Sequence, residues 1–166
     1  SASLRRRAQL LHRRPDLQMV NFRGNVETRL QKVAAGEVDA TLLALAGLKR
    51  LGLAGRGEIA LPPEVMLPAV AQGAIGIECR ADDDRILALL APLNDATTAT
   101  CVAAERGLLA ALDGSCRTPI AGHAVLKGED LHLRALVLRP DGSEARETER
   151  RGSAADAATL GRDAGQ

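Results

Sequence analysis

Amphipathic stretches alternate with continuous apolar runs through the first fifty residues. That alternation limits the fold more than any other feature of the chain. Residues 3–13 carry Leu4, Ala8 and Leu11 at helical spacing behind Ser3, a good N-cap. Pro15-Asp16 breaks this helix, and Leu17 to Phe22 reads as a buried strand. Gly24 marks a tight turn, and Asn25 can cap a second helix through Ala35, with Val26, Leu30, Val33 and Ala34 as its apolar face. Gly36 ends it. Val38 to Ala44 is apolar apart from Asp39 and Thr41, as expected of a strand covered on both faces. A short helix over 46–51 stops at Gly52. This order predicts a doubly wound α/β domain, whose sheet binds ligands at the carboxyl ends of its strands. Such a sheet also calls for a strand before Ser1, so the domain is expected to be incomplete here.

Beyond it, Pro62-Pro63 and Pro68 mark a linker or crossover. Ala74 to Cys79 reads as a strand. Asp82, Asp83 and Asp84 suit the N-terminus of a helix over 86–93. An Ala- and Leu-rich helix is predicted over 97–112, burying Ala99, Val102, Ala103, Leu109 and Leu112. After the loop from Asp113 to Cys116 come three short strands, near 119–127, 130–139 and 143–151, with turns at Gly128-Glu129 and Pro140-Asp141-Gly142. Leu131, Leu133, Ala135 and Val137 give the middle strand an apolar face, and Ser153 caps a last helix. The expected division is 1–65, an α/β domain; 66–93, a crossover segment; and 94–166, a small α+β domain with a three-stranded antiparallel sheet.

Charge is unevenly placed. The chain of 166 residues has a formal net charge of +1, yet residues 1–29 hold seven arginines and no lysine against Asp16 and Glu27. Arg5, Arg6 and Arg7 lie in a helical first turn, where cations oppose the helix dipole unless an anion offsets them. Arg23 and Arg29 flank the start of the second helix. Arginine offers a planar fork that fits carboxylate or phosphate in bidentate fashion. The bland alternative is a solvated helix face. Near-neutral overall charge argues against a general nucleic-acid binder. With no Trp, no Tyr and only Phe22, base-stacking platforms are missing too. No apolar run approaches a membrane span. Cys79, Cys101 and Cys116 form no C-x-x-C pair, and His12, His123 and His132 stand at no metal-ligand spacing. A reducing, cytoplasmic setting without a metal is expected. Cys79 and Cys101 read as packed small hydrophobes. Cys116, taken alone, is as easily an inert thiol as a functional one.

A set of segments together resembles the porphobilinogen deaminase, or hydroxymethylbilane synthase, family. They are Ser1 to Arg6, Arg23 to Leu30, Ala46 to Gly52, Leu61 to Glu64, Leu67 to Arg80, Ala104 to Arg106 and Asp113 to Ile120. They follow the family's order and cover most of the chain. Three positions depart from its usual pattern: Ala2 replaces Ser or Thr, Ala71 replaces Gly, and Ser115 replaces Gly.

The resemblance implies a periplasmic-binding-protein-like topology for the first domain. It implies stepwise condensation of four porphobilinogen units into hydroxymethylbilane, with release of ammonia, on a dipyrromethane cofactor joined by a thioether to Cys116. Arg5, Arg6, Arg23 and Arg29 match the family's carboxylate-binding arginines, with Ser3 as a hydroxyl donor. Arg7 has no such match and is expected to face solvent. Read from the residues alone, Glu105-Arg106 is expected to form an intrahelix or interdomain ion pair rather than to act in catalysis, and His123 and His132, on strands, to be structural. The family's catalytic Asp belongs to an N-terminal domain that no segment here matches, so this chain alone is expected to be inactive. Its partners would be porphobilinogen and the growing oligopyrrole, with no nucleic acid and no membrane. The full enzyme is expected to be a monomer, and the 66–93 segment is a candidate for self-association or domain swapping. The alternative reading is a non-enzymatic module binding a small anion.

Overall fold

The computed structural model describes residues 1–55, 57–115 and 118–166. They form two compact units. Unit 1 holds Ser1–Leu67, the short stretch ending at Pro119, and Val137–Arg146; unit 2 holds Pro68–Ser115, Ile120–Leu136 and Glu147–Gln166.

Unit 1 contains helices α1 (Leu4–Arg13), α2 (Val26–Ala34) and α3 (Leu45–Arg50). The expected caps form. Ser3 accepts from the Arg6 amide and Asn25 from the Thr28 amide, each satisfying a donor that a helix start leaves open. Gly24 sits at φ +133, and a β-carbon there would crowd the Thr28 side chain at 3.0 Å, so the turn into α2 requires glycine. The apolar interior is small: Ala8, Phe22, Leu48, Leu67 and Leu138 are buried, together with Arg5 and Gln9.

Unit 2 contains α4 (Asp84–Leu90), a short 3-10 turn to Leu93, α5 (Ala96–Ala111), the three-stranded sheet and α6 (Ala157–Ala164). The strands are β1 (Ile120–Lys127), β2 (Asp130–Leu138) and β3 (Ala145–Ser153), joined by hairpins in the order β1-β2-β3. The ends of β2 and β3 belong to unit 1. Gly128, at φ +60, takes the first position of a two-residue turn, where an L side chain is strained. The core gathers Ala104, Leu108, Ala124, Leu131, Leu133, Ala135, Ala157 and Leu160. Helices α5 and α6 approach closely enough that a β-carbon at Gly107 would strike the Ala158 carbonyl. One at Gly161 would strike the Ala104 carbonyl.

Several expectations are corrected. Leu17–Phe22, Val38–Ala44 and Ala74–Cys79 carry no strand, and the one sheet among the described residues is the antiparallel one. An apolar run shows that a segment favours burial, not that a ladder partner stands beside it. These three runs do not pair with one another, and Val20, Ile75 and Ile77 are exposed. The buried stripe of α5 is Ala104, Gly107 and Leu108 with Glu105, rotated from the predicted face. Close approach to α6 selects the smallest residues, not the most apolar ones. On β2 the alternation slips after Ala135, so Leu138 is buried and Val137 only partly.

Candidate functional site

The arginines of unit 1 sort themselves by what their guanidiniums reach. Arg5 is 7% exposed, and its Nη1 donates to the Leu67 carbonyl at 2.5 Å. Gln9 clamps the same peptide from both sides, with Nε2 donating to Leu67 O at 3.0 Å and Oε1 accepting from Leu67 N at 2.9 Å. Burial, and secondarily the charge of Arg6, lowers the Arg5 pKa to about 10. Arg6 is half-buried, and its Nη1 donates to the Leu42 carbonyl at 3.2 Å. Arg29, one turn into α2, sends its Nη1 to that same carbonyl at 3.5 Å. Burial and then the nearby Arg29 charge lower the Arg6 pKa as well.

Two guanidiniums on one carbonyl oxygen is a repulsive arrangement that neighbouring carboxylates normally relieve. Here they do not. Among the described residues no Asp or Glu forms an ion pair with Arg6, Arg7, Arg23 or Arg29, and the first turn of α1 has no acidic residue. The Nε atoms of Arg7 and Arg29 and the Thr41 hydroxyl oxygen are shielded from solvent without a hydrogen-bond partner. Buried donors are rarely left unmet in a finished site. The donor set suits an external anion with several oxygen acceptors.

Ser3 spends an acceptor lone pair on its own helix, taking the Arg6 amide at 3.4 Å, which leaves its hydroxyl proton for an outside acceptor. Arg23 is exposed and has no described bond to the others. The structure therefore brings Arg6 and Arg29 together, places Arg5 deeper against Leu67, and leaves Arg23 apart. Cys116 lies outside the described residues. The loop leading to it contains Asp113 at φ +47, a left-handed conformation that Asp tolerates better than most residues. Arg7 does not face solvent as expected: it is half-buried with a shielded Nε. Three consecutive arginines on a helix point in three directions, so at least one turns inward. Thr41 and the Leu42 carbonyl gave no sequence signal beyond the polar interruption of an apolar run.

In unit 2, Glu105 is buried and does not pair with Arg106. Its Oε2 accepts from the Ala71 amide at 2.6 Å and its Oε1 from the Ala124 amide at 2.8 Å, with His123 Nδ1 3.9 Å away. Buried backbone donors compete better for this carboxylate than an exposed guanidinium does. Ala71 sits at φ +56, so the position where the family usually has glycine is one that glycine would fill without strain. His132 pairs with Glu149 at 3.1 Å on the outer side of the sheet.

Two family models match the chain. One is described as "Porphobilinogen deaminase, dipyromethane cofactor binding domain" and covers residues 1–88. The other is described as "Porphobilinogen deaminase, C-terminal domain" and covers residues 99–166. The chain belongs to the porphobilinogen deaminase family. It is 57% identical to the porphobilinogen deaminase of Nitrobacter hamburgensis over 99% of its own length and 52% of the relative's. It is 59% identical to that of Paracoccus denitrificans over 98% of its length and 52% of the relative's. The chain thus spans about half the length of the curated relatives it matches. The arginine cluster and both helices that carry it fall within the first matched family domain. Among the described residues no His, Cys, Asp and Glu group could hold a metal ion, and no single helix is long and apolar enough to cross a membrane.

Proposed function

We propose that this chain forms the cofactor-carrying and carboxylate-binding part of a cytoplasmic, monomeric porphobilinogen deaminase. That enzyme would condense four porphobilinogen units into hydroxymethylbilane with loss of one ammonia at each step. The observation that carries this reading is the pair Arg6 and Arg29 on one carbonyl oxygen, with no carboxylate to neutralise them. Each pyrrole ring of the substrate brings an acetate and a propionate. A growing oligopyrrole therefore accumulates the charge this cluster lacks.

The donor chemistry of these residues supports a dipyrromethane as the bound group. Arg5, Arg6, Arg23 and Arg29 would hold its carboxylates, Ser3 would donate a hydroxyl hydrogen bond, and Cys116 would carry the thioether. When bound, that group supplies the primer on which the chain is lengthened. The protein's own part is electrostatic. Half-buried guanidiniums act in a lower dielectric than water and so grip carboxylates more tightly than exposed ones. The first unit would correspond to a periplasmic-binding-protein-like domain and residues 66–93 to a crossover into another one. No residue of this chain is assigned as the catalytic carboxylate, and the chain alone is expected to be inactive.

The test supplies the chain with the N-terminal half of the Nitrobacter hamburgensis relative, fused to give a protein of the relatives' length. The expected result is porphobilinogen consumption and an intact-mass increment matching dipyrromethane, both lost in Cys116→Ala. A fused, folded protein that neither consumes porphobilinogen nor gains mass at Cys116 contradicts the reading.

A further inference from the structure

Helix α1 is tied to backbone groups at two points along one side. Arg5, Gln9 and His12 stand at i, i+4 and i+7, so they share a face. Arg5 and Gln9 hold the Leu67 peptide. His12, in the last turn, reaches elsewhere: its Nδ1 lies 2.9 Å from the Gly142 carbonyl oxygen. A carbonyl only accepts, so Nδ1 carries a proton and donates it. Gly142 lies in the turn between β2 and β3, in a stretch that belongs to unit 1.

That turn is shaped to receive the helix end. The Asp141 carboxylate accepts from the Ser143 amide at 3.0 Å and from the Ser143 hydroxyl at 2.7 Å. The Gly142 amide donates to the Arg139 carbonyl at 2.9 Å, and the Arg139 amide to the Glu144 carbonyl at 2.9 Å. Leu138 just before the turn and Ala8 of α1 are both buried in the unit 1 interior. Gly142 takes φ +75, and a β-carbon there would come within 2.5 Å of the His12 backbone nitrogen and 2.8 Å of the Leu11 β-carbon. The position needs glycine for its dihedral and again for the close approach of α1.

We propose that His12 is a positioning residue for the carboxylate site: by seating the end of α1 on the β2–β3 turn, it fixes where Arg5 and Arg6 stand at the start of the same helix. This rests on the carboxylate-binding reading above. His12 follows Arg6 by six residues, about 9 Å along the axis, so it acts through the helix rather than on a ligand. A helix of ten residues moves as a rod. Freeing its last turn lets it pivot about the Leu67 clamp and carries the guanidiniums with it. A shift on the order of 1 Å is enough to spoil a bidentate fit to a carboxylate.

The experiment measures porphobilinogen binding to the 166-residue chain by titration calorimetry at fixed pH and ionic strength. His12→Phe keeps a ring and removes the donor, and a loss of about fivefold in affinity is expected. Gly142→Ala pushes a β-carbon into the seat from the other side and should weaken binding at least as much. His12→Asn places an N–H donor where Nδ1 stood and should restore affinity to within about twofold of the unaltered chain. Leu133→Ala, which weakens the core of unit 2 far from the seat, should leave affinity within about twofold. A His12→Phe protein that binds as the unaltered chain does overturns the proposal. So does a loss that His12→Asn fails to restore, or one that Leu133→Ala reproduces. An unaltered chain that binds no porphobilinogen contradicts the carboxylate reading itself, and the positioning role with it.

Discussion

Unit 2 buries leucine and alanine against glycine-notched helices, whereas unit 1 buries arginine and glutamine against backbone carbonyls. Among the described residues of unit 2 the buried carboxylate is Glu105, which has two backbone amides as partners. In unit 1 Arg5 and Arg6 carry pKa values pushed down by burial, and among the described residues three of its shielded polar atoms have no hydrogen-bond partner, against one, Arg134 Nε, in unit 2. The difference shows where stability has been given up. Burying a cation without an anion is unfavourable in the free protein and is recovered only when a ligand brings the anion. On the proposed reading, unit 2 would be the anchor and unit 1 the part whose stability binding completes.

The comparison is tested hardest in the core of unit 2. Leu133→Ala removes a fully buried side chain from the sheet, and a loss of about 2–5 kcal/mol is expected in denaturant unfolding. Amide exchange in α1 and α2 should hardly respond. Next comes Glu105→Gln. Only one oxygen remains to serve two backbone donors, so about 1–3 kcal/mol is lost, and exchange at Ala71 and Ala124 should accelerate first. Asn25→Ala strips the α2 cap and should cost about 1 kcal/mol in unit 1 alone. Ala71→Gly runs the other way. Relief of a left-handed alanine, offset by the extra entropy of glycine, should leave a gain of roughly 0.5 kcal/mol.

The smallest effect is a pH dependence. Hydrogen bonds from Thr98, side chain first and backbone second, hold the Asp95 carboxyl below its ordinary value. A depressed folded pKa means that this stabilisation is fully present above pH 3.8, the unfolded value, and is lost as pH falls through the folded one. Asp95→Asn keeps the cap and should flatten that part of the acid melting profile. An unchanged profile would remove Asp95 from the account.

What the sequence revealed follows from how local each signal is. Ser3 and Asn25 announce their helices because a cap acts within three residues. Strands β1 and β2 of the meander appear within one residue of their predicted ends, and β3 begins and ends two residues later. Turn glycines and alternation are also short-range. The runs Leu17–Phe22, Val38–Ala44 and Ala74–Cys79 misled because a ladder depends on a partner strand that composition does not report. Glu105 was misassigned for a related reason, since its amide partners lie 34 and 19 residues away. At the site, Arg5, Arg6, Arg23 and Arg29 were visible as types in a pattern. The inward turn of Arg7 and the shared carbonyl of Leu42 emerge only from packing.

The central claim is that unit 1 awaits a polycarboxylate. The most direct measurement is amide hydrogen exchange across the whole chain with and without porphobilinogen. Slower exchange confined to α1, α2 and the segment around Leu42, with unit 2 unaltered, is the predicted result. Exchange unchanged in α1 and α2, or slowed equally in both units, would contradict it.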